Sequence, residues 1–72
     1  EPSHQYAIPE DGYVTLKIYN LLGVLVATLV DGYEGAGYKS ISFDGEKYPS
    51  GVFVYRLQAG RFTDMKKMIL IK

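Results

Sequence analysis

Side chains able to do chemistry are few in this chain, and their spacing does not suit it. His4 is the single histidine, and a proton relay or metal centre around it needs partners that the sequence does not supply. Ser3, Ser40, Ser42 and Ser50 have no base at a spacing that would activate a hydroxyl. Asp44-Gly45-Glu46 lacks the ligand series of a calcium loop and is read as a turn. None of the eight glycines opens a helix, so no phosphate cradle forms. With no cysteine there is neither a thiolate metal site nor a disulfide. The inventory points away from an enzyme and calls for no cofactor and no metal.

Seven tyrosines are the remaining chemical resource. Tyr13 and Tyr19 share one strand face with Lys17, an arrangement that suits a stacking platform for sugar rings. Exposed strand tyrosines also pack on cross-strand neighbours, and both readings stay open at this stage. Tyr48, just before Pro49, is expected to plug one end of a core. The formal net charge is zero, which gives no reason to expect nucleic-acid binding. That total hides an asymmetry. Residues 1–55 carry seven acidic groups against three lysines, a net of −4, whereas Arg56, Arg61, Lys66, Lys67 and Lys72 face only Asp64 in the remainder, a net of +4. Such a basic segment protects an apolar hairpin from aggregating, or docks on an acidic partner.

The elements that must carry these residues are strands. Seventy-two residues make one domain, near the lower size limit for a core without staples. No run approaches the ~20 apolar residues of a membrane-spanning helix. Residues 13–19 alternate cleanly, with Val14, Leu16 and Ile18 on one face and Thr15 and Lys17 on the other. Asn20-Leu21-Leu22-Gly23 is a turn. Val24–Val30 is apolar on both faces and is expected to be a covered strand. Asp31–Gly37 is expected to be a loop, Tyr38–Phe43 a strand, and Val52–Ala59 with Thr63–Ile71 a closing hairpin. Tyr6–Ile8, ended by Pro9, is expected to be a short edge strand. Gly51 is expected to serve a turn. The pattern predicts an all-β fold: a small immunoglobulin-like or fibronectin-like antiparallel β-sandwich of six to seven strands.

Register in the closing hairpin turns on one charge. A two-residue turn puts Asp64 on the face of Phe53, Tyr55 and Leu57, where burying it unpaired is costly. A three-residue turn through Ala59-Gly60-Arg61 avoids that and is the expected form. The last strand ends Lys66-Lys67-Met68-Ile69-Leu70-Ile71-Lys72, an apolar run bracketed by lysines, where a chain end normally frays. The expectation is that this end is built into the sheet and read there by a partner.

With the strands in place, several segments resemble a known family. They are Ile8-Pro9-Glu10, Val14–Gly23, Val26–Leu29, Ala36-Gly37, Pro49–Leu57 and Lys67–Lys72. Together, in this order, they resemble the type A C-terminal sorting domain of type IX (Por) secretion substrates. The same core is similar to the immunoglobulin-like domain of the flagellar hook-capping protein, a relationship of fold. The resemblance implies a secretion signal, not an enzyme. On this reading residues 1–72 form a single sorting domain, with residues 1–5 a linker to an upstream passenger. The domain would direct that passenger through the periplasm to the cell surface or medium of a Gram-negative bacterium. Its implied partners are the outer-membrane translocon or shuttle components and a sortase that cuts the domain off and exchanges it for a surface anchor. The family's Pro-x-Gly element falls on Pro49 and Gly51, and its closing lysines on Lys67 and Lys72. Phe53 stands where the family's Gly-x-Tyr element has tyrosine, which keeps the ring and drops a hydroxyl. Residues alone also leave room for a carbohydrate- or surface-binding accessory β-domain and for a structural immunoglobulin-like spacer.

Overall fold

A computed structural model describes residues 3–43 and 47–71, with side chains from Gln5 onward. Six strands run β1 (Ser3–Ile8), β2 (Gly12–Asn20), β3 (Leu25–Glu34), β4 (Gly37–Ser42), β5 (Gly51–Ala59) and β6 (Phe62–Leu70). β1 and β4 pair as a two-stranded sheet, and the other four form a sheet in the order β3-β2-β5-β6. Every pairing is antiparallel. The all-β expectation holds, with six strands and no α-helix among the described residues. None of those residues therefore belongs to a helix able to cross a membrane.

Alternation in β2 sets the core. Val14, Leu16 and Ile18 are buried and meet Leu57 and Phe53 of β5 from the same side. One cluster, Ile8, Val14, Leu16, Leu57 and Ala59, lies under β1. A second, Ile18, Phe43, Phe53 and Leu70, fills the other end. There Tyr48 stacks on Phe43 at 5.0 Å and 11°, the plug its position suggested. Each buried aliphatic or aromatic side chain contributes about 1.5–3 kcal/mol, so this short list carries the fold. Two of the three links that change sheets, β1–β2 and β3–β4, are tied together, since Asp11 Oδ1 accepts a 2.7 Å bond from the Ala36 amide.

Four expectations are corrected. β1 begins at Ser3, with Ser3, His4 and Gln5 paired to Ser42, Ile41 and Ser40, so the linker expected over residues 1–5 does not include them. Strand β3 continues through Asp31–Glu34, leaving only Gly35 and Ala36 between it and β4. Nor is β3 covered on both faces: Leu25, Thr28, Asp31 and Tyr33 are exposed, and it is also an edge strand. Its register slips between Leu16 and Lys17 and again between Ile18 and Tyr19, which leaves Leu29 and Val26 without partners. Each slip turns an adjacent apolar pair toward the core, Val26 with Ala27 and Leu29 with Val30. Two bulges thus explain an apolar run that simple alternation reads as doubly covered.

The fourth correction concerns the closing hairpin, which has a two-residue turn. Ala59 pairs with Phe62 and Leu57 with Asp64, while Gly60 adopts φ 61°. A positive φ at the first central position alone is the type II′ requirement, which glycine meets without strain. Asp64 does face inward. The smaller sheet stops short of β6, however, leaving Lys66 exposed and Asp64 only half-buried, so the carboxylate stays hydrated and the feared penalty does not arise. Asp44-Gly45-Glu46 and Lys72 lie outside the described residues, as does the side chain of His4.

Candidate recognition surface

Asn20 pairs with Phe53, and Gly51 with Leu70. The β2–β3 turn, the start of β5 and the finish of β6 therefore share one end of the sandwich. Asn20 builds that turn. Its Oδ1 accepts from the amides of Leu22 at 2.9 Å and Val24 at 3.0 Å, and its carbonyl accepts from Gly23 at 3.0 Å. Gly23, at φ 84°, supplies the left-handed residue that closes a three-residue hairpin loop. Leu21 and Leu22 are thereby held outward, Leu22 at 88% exposure. Ile69 and Ile71 are also exposed. Four large apolar side chains are thus left exposed toward this end of the sandwich.

The residues assigned by resemblance divide between inside and outside. Pro49 is exposed in the link before β5. Phe53 is 6% exposed, locked among Ile18, Phe43 and Leu70. Lys67 stands on the outer face opposite Val54, and Lys72 lies outside the described residues. Gly51 opens β5 without a left-handed backbone. A Cβ placed there would meet Phe53 Cε2 at 3.8 Å, an ordinary contact, so the turn geometry expected to demand glycine at this position is absent. The structure therefore brings Pro49, Gly51, Phe53 and Lys67 to one end but leaves Phe53 out of a partner's reach. Reading from sequence marked the Met68–Ile71 run as a docking strand but passed over the exposed Leu21 and Leu22. The available signal was two leucines inside an Asn–Gly turn, where polar residues are usual.

Tyr13 and Tyr33 do not form a flat pair. Tyr13 and Tyr33 meet edge to face at 5.2 Å and 86°, the geometry of a cross-strand aromatic pair. The Tyr13 hydroxyl donates to Asp31 Oδ1, which together with slight desolvation raises its pKa. The Tyr6 hydroxyl donates to Glu34 Oε1 at 2.9 Å. Burial first, then that bond and the carboxylate's charge, push the Tyr6 pKa up to about 12. Both shifts hold a proton in place and suit anchoring.

β6 is an edge strand with β5 alone beside it. Its other edge offers a ladder of backbone groups for a partner. The family model of the secretion system C-terminal sorting domain matches residues 3–72. No curated protein and no solved structure matches the chain. Nearly the whole chain is covered, and the matched part contains the Asn20–Gly23 turn, the Pro49–Phe53 segment and the edge strand whose geometry has just been described. The chain belongs to the secretion system C-terminal sorting domain family, whose type IX signal takes its parent to the cell surface or medium of a Gram-negative bacterium.

Proposed function

We propose that this domain is a folded handle for type IX export, recognised at the end where Pro49, Gly51 and Lys67 gather and through the closing lysine of the family's pattern, Lys72, and that it does no chemistry itself. A translocon or shuttle component of the outer membrane grips the handle. A sortase then cuts it from the passenger and exchanges it for a surface anchor. The observation that carries this reading is the placement of Lys67 and Ile69 on an open edge strand beside the Pro49–Gly51 link. Strands hold side chains more rigidly than a tail does, and an open edge accepts a partner strand through backbone hydrogen bonds. Phe53 supports recognition from within, by fixing β5 against Leu70. Its missing hydroxyl would have had to be accommodated in that apolar cluster.

The test is a fusion of residues 1–72 behind a signal peptide and a fluorescent reporter, in a host with type IX machinery. The intact fusion should reach the surface, and surface reporter should be shorter by the length of the domain. A version lacking residues 67–72 should stay in the periplasm. Retention of both versions in the periplasm overturns the reading. Surface reporter that keeps its full length removes the cleavage step alone.

A further inference from the structure

The outer face of the four-stranded sheet carries a charge arrangement that folding disfavours. Lys17 of β2 pairs directly with Arg56 of β5, and like charges set opposite each other across two strands are destabilising. Lys67 lies on the next strand, one outward step from Met65, the partner of Arg56. No outward position of β2, β5 or β6 holds an acid. The nearest one on this face, Asp31, pairs with Thr15 of β2 and already accepts the Tyr13 hydroxyl. Neither Lys17, Arg56 nor Lys67 is in an ion pair among the described residues. Three cations therefore sit across three adjacent strands, spanning roughly 10 Å, with nothing in the sheet to answer them.

Beside them the face is concave. A depression of about 520 Å³ is lined by Tyr19, Leu21, Val54, Arg56 and Met65. Leu21 overhangs it from the turn that Asn20 fixes, and Met65 is 58% exposed. The recess is apolar with a guanidinium at its edge. That combination receives an apolar side chain while the cations take carboxylates from the same partner. The recess is a receiver, whereas a bilayer surface is met by side chains that protrude. A row of cations across three strands calls for an extended occupant.

We propose that the outer face of β2, β5 and β6 is a docking face for an acidic protein segment of the secretion machinery, anchored by an apolar residue in the Leu21–Met65 recess. This rests on the sorting reading and adds a surface distinct from the β6 edge. Lys17 and Arg56 supply the charge match. Their mutual repulsion is relieved only when the partner arrives.

Arg56→Glu is the discriminating variant, because it places a carboxylate opposite Lys17 and replaces a repulsive pair with an attractive one. The melting temperature of the 72-residue chain should hold or rise slightly, while surface reporter from the fusion falls by about tenfold or more. Met65→Glu, filling the recess with charge, should cut export similarly, and Arg56→Lys should restore most of it. If the wild-type fusion is exported and both glutamate variants match it, the docking face is wrong while the sorting reading stands. If the wild-type fusion is itself retained, the sorting reading falls and this proposal with it. Vesicles of phosphatidylglycerol give the remaining arm. Binding of the wild-type chain that Arg56→Glu abolishes would assign the face to anionic lipid and overturn the proposal, whereas no binding supports a protein partner.

Discussion

The two faces of one sheet, built from the same strands, obey different rules. On the inner face Val14, Leu16, Ile18, Phe53 and Leu57 are all buried, and among the described residues no polar side chain is buried with them. One residue away along each strand, the outer face sets Lys17 against Arg56 and leaves Met65 and Ile69 in water. Folding accounts for these five residues in full, since each removes apolar area from water. It does not account for the second, which tolerates repulsion and exposed apolar surface. Stability and recognition are therefore separated by the pleat, and neighbouring positions on one strand should respond to different assays.

The largest effect tests that separation directly. Leu57→Ala opens a hole where β2 and β5 meet β1, and core truncations of this kind cost about 2–5 kcal/mol. For a domain of this size each kcal/mol moves the melting temperature by roughly 4–8 °C. A fall of about 10 °C or more is expected by circular dichroism, with export lost as a consequence of unfolding. Arg56→Glu, the adjacent residue on the same strand, should leave the melt where it was. Equal losses of melting temperature at the two positions would erase the distinction between the faces.

A middle-sized effect comes from the turn that joins them. Asn20 Oδ1 satisfies two amides, so Asn20→Ala should cost about 1 kcal/mol, read as a modest drop in the urea midpoint. Because the same bonds hold Leu21 over the outer recess, export should fall by more than stability explains. Asn20→Asp keeps the acceptor and should recover both. A variant that loses stability but exports normally would remove the turn from the recognition surface.

How much of this was legible beforehand follows from the kind of signal each residue sends. Period-two alternation is local, so β2, its buried Val14, Leu16 and Ile18, and the closing hairpin could be read from the sequence. A bulge has no local signature. Val26-Ala27 and Leu29-Val30 looked like a strand covered on both sides, because nothing in the sequence announces the two register slips of β3. The hairpin turn was misjudged for a global reason. The burial cost of Asp64 depends on whether the second sheet reaches β6, and sheet width cannot be read from β6 itself. The exposed ends were partly legible: the lysines stood out by charge, whereas Leu21 and Leu22 passed as turn residues. Gly51 was credited with a backbone duty that its φ does not show.

Gly51 therefore supplies a smaller and sharper test. With 3.8 Å to the nearest side-chain atom and no left-handed backbone, Gly51→Ala should fit the strand. Replacing glycine where the backbone already suits any residue stabilises by roughly 0.4–1 kcal/mol, through the unfolded chain. The expected result is a melting temperature unchanged or slightly raised. If export nevertheless falls, a partner approaches the backbone at Gly51 closely enough to reject a methyl group. A lowered melting temperature instead would return Gly51 to the side of folding.

The smallest effect is a slope confined to alkaline solution, and it contrasts a tyrosine packed on the core with one standing outside. Tyr6 packs against the cluster of Ile8, Val14, Leu16, Leu57 and Ala59, and its pKa is pushed from 10.0 up to about 12, by burial before the bond to Glu34. Tyr13, on the outer face, is raised chiefly by its bond to Asp31. For Tyr6 the unfolded chain releases its proton above pH 10 while the folded chain holds it until about 12. Folded protein then binds more protons than unfolded, so stability present below pH 10 is lost as pH rises toward 12. Urea midpoints at pH 8 and pH 11 should differ less in Tyr6→Phe than in wild type. Tyr13→Phe should flatten the slope by a smaller amount, because water already screens the charge that the outer tyrosine would acquire. If Tyr13→Phe flattens it more, burial is not what separates the two faces, and the contrast between them loses its electrostatic half.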